Sequence, residues 1–398
     1  MNTKTETQNH PSVSVVIAVH NGGTDLDKCL AAVSASSYPV CECILVDDAS
    51  TDGMVDPAAG RHGARVIRLE QQGGPANARN LGVKEAVGDI IFFTDADVLL
   101  HPDAIARAVD VLQSDAGIAA VIGSYDDQPG HMSFISQYRN LFHHWVHQTS
   151  AEEASTFWTG CGAIRRKVFL EMGGFSLKYQ RPSIEDIELG MRMRHSGHRI
   201  KLIRDMYGKH MKYWSLLDVI RTDILMRAIP WMSLILDQGQ LTNDLNLGYR
   251  SRIATVLAGL LAVVLLILVL TGHGTALLPV TGFLLAAAIS ARFSATTGRQ
   301  HAAGIPALAL TTMIPLIFYW LKPDPFAWAP MALLLTLVIS HLDFYRYIAQ
   351  KRNLAFAIGV IPMQLLFFLG CAVSIPLAFI QHRLGGRKQP VDGCSQQD

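Results

Sequence analysis

Charged residues are scarce in this chain. Lysine, arginine, aspartate and glutamate together make up 17% of its 398 residues, whereas 50% are hydrophobic and the mean hydropathy is +0.24. This composition excludes a disordered chain, and the lack of a dense stripe of lysine and arginine argues against nucleic acid as a partner. A chain this long and this apolar is expected to contact lipid.

Cysteines are also few. The six cysteines show no Cys-x-x-Cys pair and no regular spacing, which argues against a zinc module or a disulfide framework and favours reduced thiols facing the cytoplasm. The segment Met1–Ser12 is polar, so we expect no cleavable signal peptide and a disordered start over residues 1–11. The N-terminal half is then expected to remain on the side of the membrane where it is made.

The two halves of the chain differ in net charge and in hydrophobic pattern. Residues 1–214 hold 21 basic against 25 acidic residues, and residues 215–398 hold 13 against 8. Within residues 12–214, short apolar runs alternate with amphipathic stretches, which predicts an α/β domain with a mostly parallel sheet flanked by helices. Ligands bind such sheets outside the carboxyl ends of the strands. The predicted strands are Val13–Val19, Cys43–Val46, Arg65–Leu69, Asp89–Phe93, Ala119–Ile122 and Arg199–Ile203, and the predicted helices are Thr24–Ala35, Pro75–Ala86 and Pro102–Gln113.

The second half is predicted to meet the membrane. Residues 215–237 are apolar but interrupted by charges three or four residues apart, as in a helix lying in the membrane interface, with a kink near Pro230; an ordinary surface helix is the alternative. Residues 253–380 then hold four or five spans, and residues 381–398 form a polar tail. The five uncharged stretches are Ile253–Leu270, Ala276–Ala291, Ile305–Leu321, Phe326–His341 and Ala355–Ile380.

The basic residues between these stretches bear on topology. With the N-terminal domain inside, the cations that follow two and four spans lie in the cytoplasm, as the positive-inside rule expects: Arg292, Arg299, Arg346, Lys351 and Arg352. A fifth span would place the last cations outside, against the rule: Arg383, Arg387 and Lys388. Either the last stretch is re-entrant, or one shorter stretch does not cross.

Asp95-Ala96-Asp97 stands directly after the apolar run of a predicted strand. Two carboxylates at a strand end can both turn toward one hard cation that bridges a diphosphate. Capping of a following helix is the alternative for either carboxylate. Neighbouring strand ends carry related residues: Asp47 and Asp48 suit a nucleobase and ribose, and the glycine-rich turn Gly73-Gly74 precedes a helix with Arg79 one turn inside, which suits an anionic ligand.

Glu185 and Asp186 open a later helical segment. A carboxylate at a helix entrance serves either as a cap or as a general base that takes a proton from an attacking hydroxyl. Cys161, between two glycines and without a histidine nearby in sequence, is interpreted as a close-packed residue rather than a nucleophile.

Six motifs follow one another along the first half of the chain, in this order: Val-Ser-Val-Val-Ile-Ala-Val-His-Asn, Val-Asp-Asp-Ala-Ser-Thr-Asp, Gly-Gly-Pro-Ala-Asn-Ala-Arg-Asn-Leu-Gly, Asp-Ala-Asp, Gly-Gly-Phe and Glu-Asp-Ile-Glu-Leu. Together they closely resemble the family 2 inverting glycosyltransferases of GT-A fold over about residues 12–214.

The resemblance implies hexosyl transfer from a nucleotide-diphosphate sugar. It implies that Asp47, Asp48 and Arg79 help to hold the nucleotide, and that Asp95 and Asp97 bind the ribose and a Mn²⁺ or Mg²⁺ ion on the diphosphate. It also implies that Asp186 is the base and that Glu185 shapes the acceptor end.

Two later residues join this set. Some GT-A enzymes complete the metal site with a late histidine, so His210 is a candidate ligand, with an ordinary surface histidine as the alternative; Trp214 would stack on a sugar at the acceptor side. The expected acceptor is a lipid or lipid-linked sugar, with the protein in a bacterial inner membrane and its catalytic domain in the cytoplasm. A processive polysaccharide synthase is one alternative, although its Gln-x-x-Arg-Trp signature is missing after Asp186. A transporter or scaffold that only senses nucleotide sugar is the other.

Overall fold

The computed structural model describes residues 10–239, 245, 248–296, 304–321 and 324–384. The predictions made for residues 1–9, for Arg299 and for residues 385–398, with Arg387 and Lys388, lie outside the described residues. The described residues fall into two compact units. The first contains the described residues up to Ser215 together with Leu245 and Gly248, and the second contains the other described residues from Leu216 onward.

The first unit is built on a mixed sheet with strand order β3-β2-β1-β4-β8-β6-β9-β5, and β7 pairs with β9. The first four strands of this order are parallel to one another, β8 is antiparallel to both of its neighbours, and β6 and β9 are again parallel. The strands are β1 Val13–Val19, β2 Glu42–Asp47, β3 Arg65–Arg68, β4 Ile90–Asp95, β5 Val98–Leu100, β6 Ile118–Tyr125, β7 Glu153–Ala154, β8 Cys161–Arg165 and β9 Arg199–His210.

Helices cover both faces of this sheet. One apolar core joins the sheet to α1, α2 and α4, and a second core joins the opposite face to α3, α6 and α7. Since the strands are apolar on both sides, the sheet is buried as parallel sheets usually are. The helices are α1 Asp25–Ser34, α2 Val55–His62, α3 Pro75–Glu85, α4 Ala104–Ser114, α5 Phe134–Thr149, α6 Arg166–Glu171 and α7 Glu185–His195.

The predicted α/β fold is confirmed, and several elements differ from the prediction. Strand β9 continues to His210 rather than ending at Ile203, so His210 belongs to the sheet. Strand β8 and helix α5 do not appear among the predicted elements. Helix α4 begins at Ala104, two residues later than predicted.

The second unit is helical. Among its described residues, three segments are long and apolar enough to cross a membrane, Tyr249–Leu270, Gly274–Arg292 and Leu354–Leu384, with a fourth if α13 and α14 form one broken span. The helices are α8 Leu216–Arg221, a π-helical turn Thr222–Ala228, α9 Ile229–Gln238, α10 Tyr249–Leu270, a 3₁₀ turn Gly274–Leu277, α11 Leu278–Thr296, α12 Gly304–Leu321, α13 Trp328–Ser340, α14 Leu342–Lys351 and α15 Leu354–Leu384.

Two of the predicted spans take unexpected forms. The stretch Phe326–His341 contains only the 13 residues of α13, after which the chain bends by 62° into the amphipathic α14. The last stretch is one continuous helix of 31 residues that includes Pro362 and Pro376. A re-entrant last stretch is therefore not what the structure describes, which favours the alternative that a shorter stretch does not cross.

The segment predicted to lie in the membrane interface is helical from Leu216 to Gln238. Its π-helical turn ends at Ala228 and is followed by α9, which has Pro230 in its first turn, where a proline costs no hydrogen bond. Leu216, Leu217 and Leu225 are exposed, while Asp223 is buried.

Candidate active site

The predicted donor residues meet at one edge of the sheet. Strand β1 lies between β2 and β4, with Val19 opposite Asp47 and Ala18 opposite Asp95. Because all three strands are parallel, their carboxyl ends open at the same edge, where open α/β sheets bind their ligands. The structure thus brings Asp47 and Asp95 to one edge of the sheet, and their roles stay predictions.

Asp48 organises the glycine-rich turn. Its buried carboxylate accepts hydrogen bonds from the backbone N–H groups of Gly73, at 2.7 Å, and Gly74, at 2.9 Å. Gly74 has φ +84°, and a Cβ there would lie 2.2 Å from the carbonyl oxygen of Gln180, so glycine is required. Asp48 therefore already has structural partners in the turn, and its contact with a nucleotide stays a prediction.

Asp47 holds the loop that follows β2. Its Oδ1 accepts from the backbone N–H of Ser50 at 2.8 Å, and its Oδ2 lies 3.4 Å from Nε of Arg68. From the end of β1, Asn21 supports the same loop, since its Oδ1 accepts from the N–H of Thr51 at 2.8 Å. The loop is thus held from both neighbouring strands.

Arg79 is the centre of a buried charge network. Its Nη2 donates to Oδ1 of Asp95 at 2.7 Å, and its Nη1 donates to Oε1 of Glu185 at 2.9 Å. Burial by itself lowers the pKa of Arg79, but the charges of Asp95, Glu185 and Asp186 outweigh it and raise that pKa. We call Arg79, Asp95 and Glu185 the arginine network. Asp95 keeps 33% of its side chain exposed, whereas Glu185 keeps 6%.

The Glu185-Asp186 pair opens α7. The second oxygen of Glu185 accepts from the N–H of Ser183 at 2.9 Å, so both of its oxygens are engaged. Asp186 is half-buried, and its Oδ1 accepts from the N–H of the next residue, Ile187, at 2.8 Å. The N-cap position of α7 is Ile184, so Asp186 lies in the first turn of the helix rather than at its cap. Its role as base stays a prediction.

Asp97 lies on the other side of the motif, beside His210. Strands β5 and β9 pair Val98 with His210, which places Nε2 of His210 3.7 Å from Oδ2 of Asp97. Burial raises the pKa of the Asp97 carboxyl. Hydrogen bonding with His210 and the positive charges of His210 and Lys212 together lower that pKa by more than burial raises it, so it lies below its usual value. We call Asp97, His210 and Lys212 the histidine side.

The residues of this site fit a divalent cation only in part. In the part of the chain that the structure describes, no three His, Cys, Asp or Glu side chains are grouped closely enough to hold a metal ion. Carboxylates are nevertheless the protein ligands that Mg²⁺ and Mn²⁺ take, and such ions are commonly held by one or two carboxylates with substrate phosphates supplying other ligands. Asp95 and Asp97 suit that chemistry.

Helix α5 supports the histidine side, and sequence reasoning missed it. The ring of His210 is stacked on Tyr125, with centroids 4.3 Å apart and an interplanar angle of 5°. Trp158 packs against Tyr125, and His147 packs against Trp158. Nδ1 of His147 lies 2.7 Å from the carbonyl oxygen of Gly123. Burial lowers the pKa of His147 to about 4. A helical spacing of polar residues is the signal that identifies this face: Ser136, Asn140, His144 and His147, all buried.

Trp214 is placed differently from the expectation. It is 6% exposed, and its backbone N–H donates to Oγ of Ser136 at 2.9 Å. Nζ of Lys212 lies 4.4 Å from its ring centroid, and Cζ of Arg139 lies 5.4 Å away. The ring therefore faces two cations instead of presenting an open face for a sugar.

Part of the first unit is similar to known glycosyltransferases. Residues 14–173, less than half of the chain, match the family model described as Glycosyl transferase family 2. This match includes the Asp47-Asp48, Arg79 and Asp95-Ala96-Asp97 motifs and ends before Glu185.

Curated relatives agree over the same region. The chain is 32% identical over 130 residues to the glycosyltransferase GlyG of Streptococcus pneumoniae, covering 31% of this chain and 42% of the relative. It is 36% identical over 123 residues to the glycosyltransferase AglE of Haloferax volcanii, covering 29% and 40%. The matched stretch thus spans less than half of either relative.

A solved structure is similar over more of the chain. The mannosyltransferase PcManGT of Pyrobaculum calidifontis, in complex with GDP-Man and Mn²⁺, covers 93% of this chain and 88% of its own, with 18% identity and a TM-score of 0.47.

Proposed function

We propose that this protein is a membrane-anchored glycosyltransferase that moves a sugar, with inversion, from a nucleotide-diphosphate sugar to a hydroxyl of a lipid or lipid-linked acceptor. The arginine network is the observation that carries the proposal. Through Arg79, it links Asp95 of the predicted donor site to Glu185, the neighbour of the predicted base, although the two carboxylates are 90 positions apart in the chain.

The donor is bound at the carboxyl edge of β1, β2 and β4 in this proposal. Asp95 and Asp97, with His210, would hold a Mn²⁺ or Mg²⁺ ion, which would neutralise charge on the diphosphate as it leaves. Among the chain's own groups, the loops organised by Asp47 and Asp48 form the nucleotide side. The family match and the acidic strand ends support this assignment.

Asp186 acts as the general base in the proposed reaction. Its carboxylate takes the proton of the acceptor hydroxyl while that oxygen bonds to the anomeric carbon, and the bond from this carbon to the diphosphate oxygen breaks. Attack opposite the leaving group inverts the anomeric centre. Glu185 does not need to move, because Arg79 and the N–H of Ser183 hold both of its oxygens.

The rest of the chain supports the proposed acceptor class. Helix α8 begins at Leu216, shortly after the last site residue, and it exposes Leu216 and Leu217. The second unit contains three or four segments that are apolar enough to cross a membrane. A chain that passes directly from its site into such a unit is suited to an acceptor presented at a lipid surface.

One experiment tests the proposal as a whole. Membranes that contain the full-length protein are incubated with a panel of labelled nucleotide sugars and Mn²⁺, with and without EDTA, and the product is partitioned between organic and aqueous phases. We expect label in the organic phase for one donor, its loss with EDTA, and an inverted anomeric configuration by NMR.

The alternatives give different results. A processive synthase would place a growing polymer in the aqueous phase, and a sensor would bind a nucleotide sugar without turnover. Transfer that persists in EDTA would remove the cation from the proposal, and retained configuration would remove Asp186 as the base of a single displacement.

A further inference from the structure

The residues that follow strand β9 stay close to the predicted metal motif. The N–H of Met211 donates to the carbonyl oxygen of Asp97 at 2.8 Å, so the residue after His210 is bonded to the predicted metal motif itself. Three residues later, Trp214 is anchored to Ser136 of α5. Lys212 lies between these two attachment points, and its backbone is therefore held beside Asp97.

The side chain of Lys212 is supported as well. Its Nζ lies 4.4 Å from the ring centroid of the buried Trp214, a cation–π contact. The residue itself is exposed, and its charge is felt at the carboxylate of Asp97. Trp214 thus holds an accessible ammonium group at the histidine side.

The N–H donors of the Lys212 ammonium group are not used by any described residue. In the part of the chain that the structure describes, Lys212 forms no hydrogen bond and no ion pair, whereas the terminal nitrogens of Arg79 donate to two carboxylates. An exposed cation one residue beyond the backbone bond from Met211 to Asp97, and not paired with that carboxylate, is suited to an anion shared with the metal ion proposed for Asp97. Phosphate oxygens are such an anion, and lysine binds them as a point charge.

We propose that Lys212 binds the diphosphate of the nucleotide-sugar donor and that Trp214 positions it. The inference rests on the proposed function and adds a residue to it. It also replaces the expected contact between Trp214 and a sugar with a role for its ring beneath the ammonium group. Arg79, in contrast, orders the carboxylates and leaves the direct charge contact with the diphosphate to Lys212.

Equilibrium binding tests this assignment without turnover. The full-length protein in detergent with Mn²⁺ is titrated calorimetrically with UDP, GDP, ADP, CDP and dTDP, and the diphosphate that binds best is compared with its monophosphate. We expect Lys212→Met to weaken the diphosphate by about tenfold, or about 1.4 kcal/mol, and the monophosphate much less. Lys212→Arg should restore most of the affinity.

Lys209→Met is the matched control. Lys209 precedes His210 in β9, so its side chain leaves the opposite face of the strand, and its loss should not change diphosphate binding. Trp214→Leu should weaken the diphosphate by less than Lys212→Met, because the ammonium group remains but its support is lost.

Three results would overturn the inference. If the wild type binds none of the diphosphates, the proposed function is wrong, and the role of Lys212, which rests on it, is wrong as well. If the wild type binds one and Lys212→Met binds it equally well, only the role of Lys212 is wrong. If that variant keeps its diphosphate affinity but needs more acceptor in an assay with vesicles, the phosphate recognised by Lys212 belongs to the acceptor rather than the donor.

Discussion

The arginine network and the histidine side differ chiefly in the exposure of their cations. Each contains one partly exposed carboxylate, with 33% of the Asp95 side chain and 35% of the Asp97 side chain accessible. In the arginine network, Arg79 is buried and is paired with the buried Glu185, whereas in the histidine side Lys212 is exposed. We therefore expect Arg79 to act on geometry and stability, and Lys212 to act on a ligand.

The largest effect is expected from removing the centre of the buried group. Arg79→Met leaves Glu185 buried without its partner, so we expect a loss of about 3–5 kcal/mol in the free energy of unfolding and no detectable transfer. Thermal unfolding of the detergent-solubilised protein, followed by tryptophan fluorescence, measures the first and the membrane assay measures the second.

Arg199→Met provides the control for exposure. Arg199 also bridges two carboxylates, Asp115 and Glu153, but with 46% of its side chain exposed. Its loss should barely move the unfolding midpoint, since exposed ion pairs contribute little. Equal effects of the two substitutions would show that the comparison between buried and exposed networks is wrong.

Asp186 adjoins the arginine network without being enclosed by it. Asp186→Asn keeps the size and much of the capping capacity of the side chain, so we expect donor binding and folding to persist while transfer falls about 10²–10⁴-fold. Glu188→Gln, in the same turn and paired with Arg192, should retain activity. An active but unstable Asp186→Asn protein would favour the cap and would place the base elsewhere.

On the histidine side, Asp97→Ala should weaken metal binding without changing the stability of the fold. Because Asp97 is partly exposed, we expect an unchanged unfolding midpoint, weaker binding of Mn²⁺ and a loss of transfer of about 10²-fold or more. Asp103→Ala, a change of the same kind at an exposed position next to α4, is the control. Full activity of Asp97→Ala in EDTA would exclude the pair Asp95 and Asp97 as a metal site.

The last effect depends on pH, is absent near neutral pH, and concerns the rings behind the histidine side. Burial lowers the pKa of His147 to about 4, so the folded domain keeps it neutral while the unfolded chain gains its proton near pH 6.5. Its contribution is present above pH 6.5 and is lost as the pH falls toward 4, by about 3 kcal/mol over that window. His147→Gln should flatten the dependence of the unfolding midpoint on pH; an unchanged slope would exclude His147 as its source.

Local pattern was sufficient for one part of the fold. Strands β1, β2, β3 and β4 are short apolar runs bounded by turn residues, and α3 begins at Pro75, where a proline costs no hydrogen bond. In contrast, β8 includes Gly162 and has no long apolar run, so its signal is weak. Helix α5 was missed because its buried face is polar: its side chains satisfy backbone carbonyls such as that of Gly123, a partner that no local pattern encodes.

For the site, sequence predicted which residues gather but not what they do to one another. The motifs at parallel strand ends must meet, and they do. The contact between Arg79 and Glu185 joins positions 106 residues apart, and nothing in their spacing predicts it. The same holds for Trp214. Its ring was expected to stack on a sugar, whereas it is buried and lies beside the ammonium group of Lys212.

Helix α15 is longer than the hydrocarbon core of a bilayer is thick. Its 31 residues extend over about 46 Å, against a core of about 30 Å. In a bilayer it has to tilt or leave roughly ten residues outside the acyl chains, and either response depends on the lipid. Hydrophobic mismatch would therefore make this one helix sensitive to acyl chain length, so that lipids with longer chains accommodate it with less tilt than short ones.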